Sequence, residues 1–559
     1  MCHSEGVLPL QKVGPAQTSL SSKHFTEWCV PYQSSGNRRN NVLVGVGRSI
    51  WGGTPPAPIP ERVLDGIPGC LAWLALILCI ASAVAFPRFV LMVSALLGLY
   101  SAFRFLLAGL GNVIGLRRVR EWEETDWYER YRQKQRDQAI PWEAVHHIVL
   151  IPNYREPMPI LRKTLDNLAC QRGAQQQITV ILAMEASENG SVEKAEQLQR
   201  EYRPYFAHFY FTVHPTGLPG EMRGKSANEA WAARWAKRKL IDEKGFNPDH
   251  VIVTTMDADT LWHAKYFSAL TYLFAIAPDR YLRYWQSPIR YHANIWDINP
   301  LMRLVNAYST AFELAYLAAP WWRPMPISSY SLSLRLLESS GYWDTDVIAE
   351  DWHMFIKAFF ASDAELILEP IYLPFLATAT TGDTLWEAIR NRYQQTLRHA
   401  WGSKEMGYII AKMLEHPEIN FFPSFSLLIR VAHDILLAGA GWVILTVGSQ
   451  LPILLHPYLV PPIQDLVQNP ALLLEYPSTI MLGFSSGLVV ILGIVFWIQD
   501  VIVRPPRAKP ISITERLLTL LSFPLLPVLT LIFVALPVLQ AQTRLLVGIP
   551  LQYRVARKL

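Results

Sequence analysis

Charge is scarce in this chain. Only 17% of its 559 residues are Asp, Glu, Lys or Arg, and the net charge is +5. No basic patch concentrates that charge, which argues against a nucleic-acid-binding protein, whose electrostatic footprint is a basic face or stripe. Cysteine is also scarce. Cys2, Cys29, Cys70, Cys79 and Cys170 form no C-x-x-C pair, and Cys70 and Cys79 lie inside an apolar run. That spacing argues against a zinc site and a disulfide framework and fits a reducing compartment. The first 20 residues hold no apolar core ahead of a small-residue cleavage site, so no signal peptide is expected. Half of the chain is apolar (51%), which excludes a disordered or collagen-like protein.

The apolar residues are unevenly spread. Five runs, 69–86, 89–110, 435–455, 478–498 and 517–542, carry no charge except Arg104 in the second. About 20 apolar residues cross the hydrocarbon core, so each run reads as a membrane span. Buried core helices rarely run so long without polar punctuation, and five of them would be exceptional. Six basic residues precede the first run, none falls between the third and fourth, and Arg504, Arg507, Lys509 and Arg516 separate the fourth from the fifth. The positive-inside rule therefore places the N-terminus, the central region and the 499–516 loop in the cytoplasm. The tail conflicts with five crossings, because Arg544, Arg554, Arg557 and Lys558 would then lie outside. Pro524, Pro527 and Pro537 allow the last run to be a broken or re-entrant hairpin. The expected organisation is a flexible arm over 1–68, two spans over 69–110, a globular domain over 115–420, and three or four membrane segments over 428–559.

Between the second and third runs the pattern changes. Short β-branched or aromatic runs at 147–152, 178–183, 208–213 and 251–255 alternate with helical stretches at 158–170, 191–202, 225–240 and 263–276. This βα alternation predicts a mostly parallel sheet with ligand chemistry at the carboxyl ends of its strands. The fourth strand leads into Asp257-Ala-Asp259, two carboxylates that can meet a hard divalent cation, Mg²⁺ or Mn²⁺, while a diphosphate supplies further oxygen ligands. Asp344-Thr-Asp346 has the same spacing without a preceding strand and reads as a turn. The stretch from 385 to 434 reads as amphipathic helices on the membrane face, with packing helices of the globular domain as the alternative.

Four motifs occur in order: Pro152-Asn-Tyr-Arg-Glu156, Gly224-Lys-Ser-Ala-Asn228, Asp257-Ala-Asp259 and Ile348-Ala-Glu-Asp351. In that order and spacing residues 140–410 resemble the family 2 glycosyltransferases. More narrowly they resemble the membrane-integrated branch that includes cellulose, chitin and hyaluronan synthases and ceramide glucosyltransferases. The resemblance implies an α/β GT-A-like domain beside a helical membrane region. It also implies that Tyr154 and Glu156 contact the nucleotide, Lys225 lies near the diphosphate, Asp257 and Asp259 hold the metal–nucleotide, and Asp351 is the general base with Glu350 beside it. Glu185 stands where the family usually has an Asp for the base. Gln395-Thr-Leu-Arg398 matches the start of the family's Q-x-x-R-W motif, but His399 replaces the Trp and Trp401 follows two residues later.

The chemistry agrees with this reading. A departing diphosphate gathers negative charge that a metal and cations such as Lys225 and Arg398 can meet. The incoming hydroxyl needs a carboxylate to take its proton, and one base without a nucleophilic partner implies single displacement with inversion. Other readings stand beside these. Glu350 and Asp351 could serve only the dipole of the helix they open, and Lys225 and Arg398 could be ordinary helix cations. Trp321 and Trp322 suit either an acceptor sugar or the bilayer interface, with Trp401 a third acceptor candidate. The acceptor is a growing polysaccharide or, alternatively, a membrane lipid. A transporter or signalling protein with an inactive sugar-nucleotide domain is a third class, disfavoured by the few intramembrane charges.

Overall fold

The computed structural model describes residues 59–135, 138–222, 224–459, 463–507 and 510–551. The expected arm up to residue 58, Cys2, Cys29, Lys509 and the basic tail residues Arg554, Arg557 and Lys558 lie outside the described residues.

The sheet forms where the β-branched runs predict it. Strands β1 (His146–Pro152), β2 (Ile178–Glu185), β3 (His208–His214) and β4 (Val251–Thr255) are all parallel. Strands β5 (Arg283–Gln286), β7 (Tyr330–Ser333) and β8 (Ile367–Pro370) extend the sheet in the order β3-β2-β1-β4-β7-β5-β8. Only β7 runs antiparallel to its neighbours. A small parallel pair, β6 (Ile289–Arg290) with β9 (Phe375–Leu376), lies apart from it. This is the α/β, mixed but mostly parallel sheet expected, accompanied by apolar helices.

Alternation of side chains along each strand splits the core into two layers. Ile148, Leu150, Ile181 and Ala183 join the cluster containing Ala230, Phe355 and Phe359 of the helices Lys225–Ala236 and Glu350–Ala361. Val149, Ile151, Val180 and Leu182 join the opposite cluster with Leu165, Leu198 and Leu270 from Met158–Ala169, Ser191–Tyr202 and Tyr266–Ile276.

Five helices are long and apolar enough to cross a membrane: Glu61–Ala85, Pro87–Glu124, Phe421–Leu455, Pro477–Val503 and Leu526–Val547. Two boundaries differ from the sequence reading, and the last run is broken where its prolines allow it. The first helix begins at Glu61 rather than after the arm, because Glu61 and Asp65 reach Lys404 at 3.6 and 3.2 Å. The third is continuous from Phe421, so residues 421–434 are its first turns and not a separate interfacial helix. The last run is divided, Ile513–Ser522 ending before Leu526–Val547, where Pro524 denies the backbone a donor.

Small residues let these helices meet. A Cβ on Gly69 would press into the Gln542 carbonyl oxygen, and one on Gly407 would lie 2.6 Å from that of Leu64. Gly115 takes the Leu314 side chain the same way, tying the second span to the helix Pro300–Ala318. Gly69→Ala is therefore expected to destabilise the protein by about 1–3 kcal/mol. Thermal unfolding in detergent measures this, and an unchanged midpoint would show that the first and last spans do not pack so closely.

Candidate active site

The site lies at the carboxyl edge of the parallel strands, where loops leave the sheet and helix N-termini face the opening. Strand β7 matters because it runs the other way. Its start, Ser328-Ser329-Tyr330, therefore lies at the edge where β4 ends in Asp257, with Tyr330 opposite Thr255.

Ser328 joins three of the candidate groups. Its hydroxyl donates to Asp257 Oδ2 (2.8 Å), its amide to Asp351 Oδ2 (3.1 Å), and its carbonyl accepts from Lys225 Nζ (2.8 Å). It holds a left-handed backbone conformation, φ 58°. Lys225, in the first turn of its helix, contacts Asp257 Oδ1 at 3.1 Å, Glu350 Oε1 at 2.8 Å and Glu229 Oε1 at 3.6 Å. Burial opposes its charge, but these three carboxylates raise its pKa well above the usual lysine value. Glu229 lies beneath it, fully buried and accepting from the Thr255 hydroxyl; burial foremost pushes its pKa up to about 8.

Asp351 carries a shifted carboxyl. Burial, and then the neighbouring Glu350, raise its pKa to about 6, against the backbone amides of Ser328 and Trp352, which favour its charged form. A carboxylate with that value is ionised at neutral pH and still basic enough to accept a proton.

The loop carrying Tyr154 and Glu156 is held by a group the sequence reading passed over. Glu188 accepts from Arg155 N at 2.7 Å and Asn153 Nδ2 at 3.3 Å and pairs with Lys194, shaping the loop that presents Tyr154. Glu156 Oε2 accepts from Tyr154 N at 2.6 Å. Glu185 ends β2 beside His214 Nδ1 at 3.4 Å, and the other ring nitrogen meets Glu221 at 2.9 Å. Burial opposes protonation of His214, yet the two carboxylates hold its pKa above the ordinary value.

One cavity of about 710 Å³ gathers most of the candidates: Tyr154, Glu156, Glu185, Lys225, Asp257, Glu350, Asp351, Gln395 and Arg398 all line it. Four candidates do not. Asp259 is buried and accepts from Thr378 N at 3.1 Å, because the turn closed by Thr260 N on Asp257 O (3.0 Å) separates the two carboxylates. Trp401 is buried among Ile348, Leu397, Ala541 and Leu545, tying the domain to the last span, so its acceptor role does not stand. Trp322 packs on Tyr316 and beside the helix cluster of Leu304 and Phe496, and Trp321 is exposed away from the cavity; neither reaches an acceptor there. Arg392, one turn before Gln395, was missed. It lines the cavity, donates to Gln395 Oε1 at 3.1 Å, and leaves its buried Nε without a hydrogen bond.

Among the described residues no three His, Cys, Asp or Glu side chains converge as a closed metal site. Asp257 nonetheless presents a partly exposed carboxylate to the cavity. Mg²⁺ needs little more from a protein, since one carboxylate, substrate phosphates and waters complete its shell. Even with Glu229 protonated at neutral pH, as its raised pKa implies, Asp257, Glu350 and Asp351 outnumber Lys225, so a diphosphate entering here would call for added positive charge. The donor set fits a divalent cation at Asp257.

No family model and no curated protein matches the chain. Among solved structures it is similar to the mannosyltransferase PcManGT from Pyrobaculum calidifontis in complex with GDP-Man and Mn²⁺. The identity is 16% over 72% of this chain and 99% of that one, with a TM-score of 0.37. It is also similar to residues 1–349 of S. aureus TarS in complex with UDP-GlcNAc, at 13% identity over 56% and 86% of the two chains, TM-score 0.27. Likenesses this distant assign neither activity nor substrate.

The pKa of Asp351 sets a pH expectation. Below about 6 its carboxyl is protonated and cannot accept a proton, so turnover should rise with pH through about 6 and level off above it. Asp351→Asn should lower turnover about 10²–10⁴-fold and abolish that limb. Unchanged product yield would remove Asp351 from the chemistry.

Proposed function

We propose that the protein is a membrane-integrated, metal-dependent, inverting glycosyltransferase of the family 2 type. It transfers a sugar from a nucleotide-diphosphate sugar, most simply a UDP-sugar, to a growing polysaccharide. The observation that carries this reading is the single cavity, which has buried acids and Lys225 at one end and the inner faces of apolar helices at the other. Such a cavity suits a polar, charged donor entering from the sheet side and an acceptor held against the membrane.

In this mechanism Tyr154, Glu156 and Glu185 bind the nucleotide, and Lys225 with Arg398 faces the diphosphate. A divalent cation at Asp257, Mg²⁺ or Mn²⁺, supplies charge that offsets the leaving diphosphate. Asp351 takes the proton from the acceptor hydroxyl as that oxygen attacks the anomeric carbon, and the sugar–diphosphate bond breaks on the opposite side. Glu350 keeps Lys225 in place and raises the basicity of Asp351. The catalytic domain faces the cytoplasm, where nucleotide sugars are found, in agreement with the basic residues flanking the spans.

A membrane-lipid acceptor is the second reading, favoured by the apolar residues Leu437, Leu526, Val534 and Val538 in the helix-lined part of the cavity. Incubation of the purified protein with radiolabelled UDP-sugars and Mn²⁺ separates the two. A ladder or high-mass product is expected for polymerisation, and one organic-soluble species identifies the lipid product. No binding of any nucleotide sugar with Mg²⁺ or Mn²⁺ supplied would overturn both.

A further inference from the structure

The helix-lined end of the cavity is not uniformly apolar. On Pro300–Ala318, the residues Val305, Ser309, Phe312, Glu313 and Tyr316 face it, a stripe at helical spacing. Glu313 is the notable member. Its carboxyl lines the cavity with no hydrogen bond or ion pair, although charged groups surround it. Across the cavity Arg104 donates to Tyr316 Oη at 2.7 Å and lies 3.6 Å from Asp434, which Arg430 also pairs. The nearby cations are thus engaged with Asp434 and Tyr316, leaving Glu313 free to meet a ligand. Glu313 is half-buried, whereas Ser101 Oγ and Arg104 Nε, on the helix Pro87–Glu124 that also lines the cavity, are buried without a hydrogen bond. Buried polar atoms left unpaired are costly and rare, so a set of them around one cavity marks where a ligand's polar groups belong.

We infer that Glu313 binds hydroxyl groups of the acceptor, so that this end of the cavity selects a carbohydrate rather than a bare apolar chain. The inference rests on the sugar-transfer reading and deepens it by naming a residue that holds the acceptor and selects its class. Glu313 and Asp351 line the same cavity, so hydroxyls held by Glu313 would share that space with the proposed base. Burial foremost pushes the Glu313 pKa up to about 8, with Arg430 opposing and Asp434 and Asp351 adding to it. A carboxyl in that state both donates and accepts, which matches adjacent sugar hydroxyls. Glu313 is a positioning and specificity residue; no proton transfer is assigned to it.

The test uses the full-length protein in detergent and three octyl glycosides, of glucose, mannose and N-acetylglucosamine, as acceptor probes beside a short-chain ceramide. Nucleoside diphosphate release without acceptor reports donor chemistry, and labelled octyl disaccharide reports transfer. Glu313→Leu should raise the glycoside KM about tenfold or more, with acceptor-free release and donor KM within about twofold of wild type. Glu313→Gln, which keeps both hydrogen-bonding functions, should recover most of that loss. An unchanged glycoside KM in Glu313→Leu overturns the inference while leaving sugar transfer intact. Transfer by wild type to ceramide and to no glycoside also overturns it, as does equal loss of release and transfer with a lowered melting temperature. Absence of nucleotide release from every donor would sink the sugar-transfer reading itself, and the acceptor inference with it.

Discussion

One buried ammonium organises the site. Lys225 lies among Asp257, Glu229 and Glu350, with Asp351 acting on its charge, and no other cation in the cavity pairs with all three of the first carboxylates. Four acids this close would repel one another without it. Taking a partner out of a buried charge set usually costs about 3–5 kcal/mol, because the remaining charges have neither water nor a counter-ion. The surplus of negative charge left around Lys225 has a functional consequence. It is the electrostatic ground for proposing that a diphosphate enters this cavity together with a cation.

The backbone around Ser328 makes this cluster rigid. Because β7 enters the sheet at the edge where β4 leaves it, one residue reaches Asp257, Asp351 and Lys225 through its hydroxyl, amide and carbonyl. The packing of charge continues behind Asp351: His353, on the same helix Glu350–Ala361, is buried between Asp344 and Glu405 at 2.9 and 3.0 Å. Burial opposes its charge, but the two carboxylates lift its pKa to about 9. The helix Glu350–Ala361 is thereby tied to Glu405–Glu415, whose Gly407 touches the first long apolar helix at Leu64. The candidate site and that apolar helix share one continuous set of contacts.

Much of the sheet was legible in the sequence because parallel strands buried on both faces leave near-continuous β-branched runs, and four of them did. The spans were legible for a similar reason, since charge-free runs have few alternatives. Asp257, Glu350, Asp351 and Lys225 could be found because each follows a strand or opens a helix at the edge where open α/β sheets bind ligands. Glu229 could have been found too, as the residue four places after Lys225 on the same helical face. Ser328 and Glu188 could not. Ser328 belongs to no motif, and its importance comes from an antiparallel strand whose place in the sheet no local pattern reveals. The tryptophans failed for the opposite reason: aromatic rings suit sugars, cores and interfaces equally, and Trp401 went to the core.

What this sequence determines alone is local and periodic: where strands, helices and spans lie, and which acids stand at their ends. Hydrophobic period and helix-end chemistry act over a few residues, so they can be read without knowing the rest of the chain. The tertiary structure decided which of those acids share a cavity. It brought Asp257 and Asp351 onto one serine, separated Asp259 from its neighbour two residues away, and set Glu313 of a distant helix on the cavity that Asp351 also lines. Those pairings depend on strand order and helix packing, which join residues far apart in the chain, and local patterning carries no record of them.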